Sequence, residues 1–185
     1  RADESTHARL DQLADLLAEN ADIDAMLTLA QSAPALPDSE PAPAPEETAA
    51  RPRIGFVLDD ALWFYYQENL DALRDAGAEL IPLSILDPVP WPELDGLYLG
   101  GGYPELFADS ISQSPHLAEI RALSEAGRPI YAECGGFMTL CSAITIEGRR
   151  YPMAGIFEAE ADFFPTPQGL GYVEARVSSD NPYHP

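Results

Sequence analysis

The stretch Pro129–Leu140, Pro-Ile-Tyr-Ala-Glu-Cys-Gly-Gly-Phe-Met-Thr-Leu, constrains this chain more than any other. Ile130–Ala132 reads as a short buried strand, and a helix is expected from about Gly136. Between them lies a sharp turn at Glu133-Cys134-Gly135. A strand, a small-residue turn and a helix in that order form the pattern of a nucleophile elbow, which lifts one side chain out at the C-terminal edge of a sheet. The turn leaves the next backbone N–H, that of Gly135, free to serve an oxyanion. A lone cysteine is more often a core residue than a nucleophile. Here the Cys-Gly-Gly turn between apolar strand and apolar helix favours the nucleophile, because glycine keeps the approach open for a carbonyl substrate. Cys141 falls two turns into the expected helix and reads as a core residue.

The surrounding texture fits such an elbow. Ile54–Leu58 reads as a buried strand ending at Asp59-Asp60, and Trp63–Ala76 as an amphipathic helix stopped by Gly77. Glu79–Leu83 is a second strand, placed near a sheet edge because Pro82 cannot donate to a ladder. Residues 87–93 carry three prolines and read as a loop, and Gly96–Leu99 is a third strand. A helix over 115–126 stops at Gly127. After the elbow, Ile144–Ile146 and Arg149–Met153 flank a Glu-Gly turn and suggest a hairpin, with further strands at Ile156–Glu160 and Tyr172–Val177. Alternating strands and helices predict an α/β fold with a mostly parallel sheet and flanking helices. Ligands in such folds bind at the C-terminal strand ends. Asp59-Asp60, the Gly100-Gly101-Gly102 run and Cys134 all fall at such ends.

Ahead of this domain the chain differs. Residues 5–31 are helical in pattern, with Leu10, Leu13, Leu16 and Leu17 on one face; Asn20 ends the first helix and Asp22 caps a second. Residues 33–52 are rich in Pro, Ala and acid and predict an extended linker, with a domain boundary near residue 52. The chain does not start with Met and stops at Tyr-His-Pro, so it reads as part of a longer protein.

Charge narrows the function classes. The formal charge is −21, from 31 acids against 10 basic residues, and every basic residue is Arg. That excludes a nucleic-acid or anionic-membrane surface and the lysine of a phosphate loop. No apolar run reaches transmembrane length. Two cysteines make no disulfide framework and, without His or Cys at ligand spacing, no metal site, which places the chain in a reducing cytoplasm.

Among the candidate groups, the glycine run presents three N–H groups without side-chain cover, suited to close substrate approach or an oxyanion. It does not have the spacing of a dinucleotide fingerprint. Asp59-Asp60 reads as a helix cap with a solvated neighbour rather than a catalytic pair. A catalytic cysteine ordinarily needs a base. His7 lies in the first helix, His116 in the capping region of a surface helix and His184 near the chain end, each read as a surface histidine. Either the base lies beyond residue 185 or the cysteine is not catalytic.

Tyr131-Ala-Glu-Cys134-Gly-Gly and Leu99-Gly-Gly-Gly-Tyr-Pro-Glu105 together resemble the glutamine amidotransferase domain of the cobyrinic acid a,c-diamide synthase family. Asp60–Leu70 resembles that family's aromatic-rich segment after the first strand, and Asp95-Gly96 fits the register of its glycine loop. The resemblance covers residues 53–182. It implies a class I, flavodoxin-like amidotransferase fold with Cys134 as nucleophile and Gly135, Gly101 and Gly102 as oxyanion or substrate-binding groups. It implies L-glutamine as the ammonia source and cobyrinic or hydrogenobyrinic acid as the amidated corrinoid, bound mainly by a preceding ATP-dependent domain. ATP and Mg2+ belong to that domain, and no cofactor or metal is implied for this chain. Residues 1–32 would be the helical tail of the ATP domain, 33–52 the linker and 53–185 an amidotransferase domain short of its C-terminal histidine, so that the chain alone would be weak or inactive. A homodimer is compatible with the family. The rival readings are a non-catalytic amidotransferase-like assembly domain and an unrelated cysteine hydrolase on a similar sheet.

Overall fold

The computed structural model describes residues 4–35, 51–164, 166, 168, 169, 171, 172, 174 and 176. The chain divides into two compact units, Arg1–Ala42 and Pro43–Pro185.

The first unit is a helix pair, α1 (Glu4–Asn20) and α2 (Ile23–Gln31). Both ends expected at the junction are made by side chains. The Asn20 amide donates to the Leu16 carbonyl at 2.8 Å, and Asp22 Oδ1 accepts the Ala25 N–H at 2.9 Å. Such a cap contributes about 1 kcal/mol. Leu10, Leu13, Leu16, Leu17, Met26, Leu27 and Leu29 are exposed. The linker expected over 33–52 lies largely outside the described residues.

The second unit opens with β1 (Arg53–Val57), β2 (Leu62–Phe64), α3 (Gln67–Asp75), β3 (Glu79–Leu83) and β4 (Gly96–Leu99). It continues with β5 (Gly101–Gly102), a 3-10 turn (Pro104–Phe107), α4 (Ala108–Ser112), α5 (His116–Glu125) and β6 (Ile130–Ala132). Last come α6 (Gly135–Leu140), β7 (Cys141–Ile146), β8 (Arg149–Pro152) and β9 (Phe157–Asp162).

The central sheet is parallel throughout, in the order β3-β1-β4-β6. Pro82 lies on edge strand β3, opposite Phe56. The strands bury both faces, so alternate residues enter different cores. Phe56 and Tyr98 pack with Leu70 of α3, while Val57, Leu97 and Leu99 pack with Ile111, Leu117, Ile120, Leu140 and Ile144. Each such fully buried aliphatic side chain contributes about 1.5–3 kcal/mol. Helix α3 stops where Gly77 takes φ 92°, with the Gly77 and Ala78 N–H groups closing on the Arg74 and Leu73 carbonyls.

A second sheet, β8-β7-β9, carries the expected hairpin. Glu147 (φ 49°) and Gly148 (φ 78°) both sit at positive φ, the geometry of the tight turn that matches strand twist.

Two expectations are corrected. The segment Trp63–Ala76 is not one helix: Leu62–Phe64 is a strand paired antiparallel with Gly101–Gly102, and the helix begins at Gln67. The reason is tertiary. The glycine strand has no side chains, so β2 lies directly on it, and a Cβ on Gly102 would stand 2.1 Å from the Ala61 carbonyl oxygen. Cys141 is in the core, but it begins β7 rather than sitting inside the elbow helix, which ends at Leu140. The strand expected at Tyr172–Val177 falls on a stretch only partly within the described residues.

Candidate active site

The elbow is built by hydrogen bonds on both sides of Cys134. At the end of β6 the Glu133 N–H donates to the Leu99 carbonyl at 2.9 Å, carrying the ladder with β4 one residue further. The Gly136 N–H then bridges two carbonyls, Glu133 at 2.8 Å and Gly100 at 3.0 Å. The chain between these anchors must reverse within one residue. Cys134 does so at φ 48° and ψ −114°, a backbone conformation that costs a non-glycine residue roughly 1–3 kcal/mol. The glycines after it answer to close approach. A Cβ on Gly135 would lie 2.8 Å from the Gly102 carbonyl oxygen, and one on Gly136 would lie 2.3 Å from that of Leu99. The Cys134 side chain is exposed.

The glycine run comes to the same place. A Cβ on Gly101 would stand 3.7 Å from Cys134 Cβ, so the two motifs, far apart in sequence, form one surface. The three glycines do not present equal N–H groups. The Gly100 N–H is taken by the Tyr65 hydroxyl at 2.9 Å, and Gly101 and Gly102 run antiparallel to β2. Among the described residues the Gly135 N–H has no hydrogen-bond partner. Around this surface Trp63, Phe64, Tyr66 and Tyr103 are exposed, with Trp63 at 5.9 Å from Phe64 and 6.5 Å from Tyr103 between ring centroids.

Asp59 is structural, but not as a helix cap. Its Oδ1 accepts the N–H groups of Ala61 (2.9 Å) and Leu62 (3.1 Å). Its Oδ2 accepts the Ser84 hydroxyl (3.0 Å) and the Ile85 and Leu86 N–H groups (2.7 and 3.3 Å). One carboxylate therefore ties the loop after β1 to the loop after β3. Asp60 beside it is exposed.

The expectation for His116 is overturned. It is fully buried, stacked on Trp91 at 4.6 Å between ring centroids. Its Nδ1 lies 2.7 Å from Glu119 Oε2 and its Nε2 2.6 Å from the Asp87 carbonyl oxygen. Both nitrogens are engaged, so this histidine locks α5 to the loop after β3 and is not a free base. The sequence signal was available in hindsight: Glu119 follows at i+3, and Trp91 sits in the proline-rich loop. His184 lies outside the described residues. Among the described residues no group of three or more His, Cys, Asp or Glu could hold a metal ion, and no helix is long and apolar enough to cross a membrane.

Tyr65 is the residue that sequence reading passed over. Its hydroxyl donates to the Val57 carbonyl, lies 3.3 Å from that of Tyr98 and accepts from Gly100. Burial pushes its phenol pKa far up, so the group stays a neutral hydroxyl.

Residues 53–182 match the model of the CobB/CobQ-like glutamine amidotransferase domain. The chain belongs to this family. Its relatives include cobyrinate a,c-diamide synthase of Magnetococcus marinus (strain ATCC BAA-1437 / JCM 17883 / MC-1), 43% identical over 176 residues, which cover 92% of this chain and 38% of that protein. The protein of that name from Listeria monocytogenes serotype 4b (strain F2365) is 38% identical over 170 residues, 91% of this chain and 37% of its own length. That of Leptospira interrogans serogroup Icterohaemorrhagiae serovar copenhageni (strain Fiocruz L1-130) is 42% identical over 161 residues, 86% and 35%. This chain thus spans well under half the length of the curated relatives it matches. The expected α/β fold with a mostly parallel sheet and flanking helices is the fold observed.

Proposed function

We propose that this chain is the glutamine-hydrolysing part of an ATP-dependent amidoligase that converts the a and c carboxylates of cobyrinic or hydrogenobyrinic acid to amides. The observation that carries the reading is Cys134, exposed on a backbone at φ 48° beside Gly101, in a chain of the CobB/CobQ-like amidotransferase family. Relatives named for cobyrinate a,c-diamide synthesis supply the substrate class.

In this reading the Cys134 sulfur attacks the side-chain amide carbon of L-glutamine, and the carbonyl electrons move to oxygen. The Gly135 N–H, with backbone of Gly101 and Gly102, faces that developing oxyanion. Collapse expels ammonia, which takes its proton from the acid that received the thiol proton, and leaves a thioester. Water then attacks the thioester, releasing glutamate and the thiol. Both His116 nitrogens are engaged in the core, and the scheme takes as its base a histidine outside the described residues. ATP and Mg2+ for carboxylate activation lie outside this glutamine-hydrolysing scheme. They are assigned to the preceding part of the protein.

The test uses the full-length protein. Cys134→Ala is expected to abolish glutamine-driven amidation and spare ammonia-driven amidation. Loss of both would contradict the division of labour, and retention of both would favour a non-catalytic domain.

A further inference from the structure

Three consecutive glycines cannot hold a fixed conformation by themselves. Glycine loses more backbone freedom on ordering than any other residue, so a glycine run beside a reacting centre needs an external restraint. Gly100 is the point where that restraint acts. It is buried, and its N–H and C=O are bound in different directions. The carbonyl accepts the Gly136 N–H of the elbow helix at 3.0 Å, and the N–H donates to the Tyr65 hydroxyl at 2.9 Å.

Tyr65 is itself held from several sides. Its ring meets Phe56 edge-on at 5.6 Å and Tyr98 at 4.9 Å. Its single proton goes to the Val57 carbonyl at the end of β1, which leaves the oxygen lone pairs for Gly100. The contact is also steric: a Cβ on Gly100 would stand 2.6 Å from the Tyr65 ring carbon bearing the hydroxyl. One phenol therefore joins the end of β1 to the start of the glycine run, and Gly100 joins that run to the Cys134 turn. Without the oxygen, the buried Gly100 N–H is left unsatisfied, and the peptide before it rotates to find a partner.

We infer that Tyr65 is a positioning residue for glutamine hydrolysis, holding the Gly100–Gly102 backbone in place beside Cys134 through its hydroxyl. The inference rests on the proposed function and goes beyond it by naming a side chain that acts through the Gly100 backbone.

The experiment compares wild type, Tyr65→Phe, Phe56→Leu and Cys134→Ala in the full-length protein. Tyr65→Phe keeps the ring and removes only the oxygen. Glutaminase kcat is expected to fall between about 10- and 100-fold, with KM for glutamine changed less than about threefold. Inactivation by a diazoketone analogue of glutamine should slow by a similar factor, while alkylation of Cys134 by iodoacetamide, which needs no oxyanion backbone, keeps its rate. Phe56→Leu thins the packing under the same ring without removing the hydroxyl and is expected to melt earlier yet retain kcat. An unchanged kcat in Tyr65→Phe overturns the inference, as does an equal loss in Phe56→Leu. If Tyr65→Phe does not fold, difluorotyrosine at position 65 keeps the shape and weakens the oxygen as an acceptor; a smaller loss in the same direction supports the inference and no loss overturns it. If Cys134→Ala still hydrolyses glutamine, the proposed function fails first, and that outcome is separate from a failure confined to Tyr65.

Discussion

Cys134 and Cys141 stand seven positions apart, separated by one short helix, and the fold gives them opposite circumstances. Cys134 is exposed at a strand end, on a backbone conformation that L-residues rarely adopt. Cys141 is 2% exposed, has ordinary extended backbone and points its thiol at the Phe137 carbonyl. Burial pushes the Cys141 thiol up, which favours the unreactive protonated form. The same residue type thus serves as packing in one place and as an accessible sulfur in another. The difference comes from the hydrogen bonds around Glu133 and Gly136, which force the turn at Cys134, and not from anything in the cysteine.

The largest effect expected from this contrast is on activity. In the full-length protein, Cys134→Ala should lower glutamine hydrolysis by about 10^4-fold or more, as removal of a nucleophile does. Cys141→Ala should leave it within about threefold, because Cys141 touches only the core. Ammonia release measured for the two variants side by side breaks the comparison if the losses are equal.

A second difference should appear in labelling of the folded protein. Iodoacetamide at neutral pH is expected to modify Cys134 about a thousandfold faster than Cys141, which reacts only through an opening that costs several kcal/mol. Mass mapping of peptides after a timed quench reads the ratio directly, and comparable labelling of both would contradict the burial of Cys141.

The architecture under the elbow can be tested by stability. Gly136→Ala puts a methyl group against the Leu99 backbone oxygen, which has no flexible end to move aside, and should destabilise by about 3 kcal/mol in urea unfolding. Gly127→Ala meets nothing within 4 Å and carries only the left-handed backbone penalty of its φ 69°, about 1 kcal/mol. Equal midpoints for the two variants would show that close approach is not what selects glycine after Cys134.

The smallest effect sharpens the comparison most. Cys134 and Glu147 are the non-glycine residues at positive φ among the described residues, 48° and 49°. Replacing either with glycine should stabilise by about 1 kcal/mol, the relieved strain exceeding the added chain entropy. Only Cys134→Gly should also lose glutamine hydrolysis. Thermal melting and ammonia release on the same two samples separate a strained turn that serves chemistry from one that serves a hairpin.

The local geometry of the candidate site was legible before the fold. The Glu-Cys-Gly-Gly turn after an apolar strand carries its own mechanical meaning, and the glycine run fell at a strand end by the same alternation that predicted the sheet. The burial of His116 is only partly legible: Glu119 at i+3 is a local partner, but Trp91 and the Asp87 carbonyl, which close over the ring, come from a loop more than twenty positions away. Tyr65 was hidden for a related reason. It lies inside Trp-Phe-Tyr-Tyr, at the start of a segment whose apolar Phe64, Leu70 and Leu73 suggest one amphipathic helix, and only the pairing of β2 with the glycines pulls that start out of the helix.

What the sequence by itself determined is therefore whatever rests on local pattern. Apolar strands, glycine stops at residues 77 and 127, the cap at Asp22 and the Glu-Gly hairpin turn are all set by neighbours within a few positions. The parallel sheet follows from the order of those elements. Tertiary structure alone decided which groups face each other across the strand ends. It brought Gly101 against Cys134, aimed the Tyr65 hydroxyl at Gly100, made Asp59 a five-donor anchor and sealed His116 into the core. Each of these depends on the distance between chain segments that only packing brings together, and no periodicity along the chain encodes that distance.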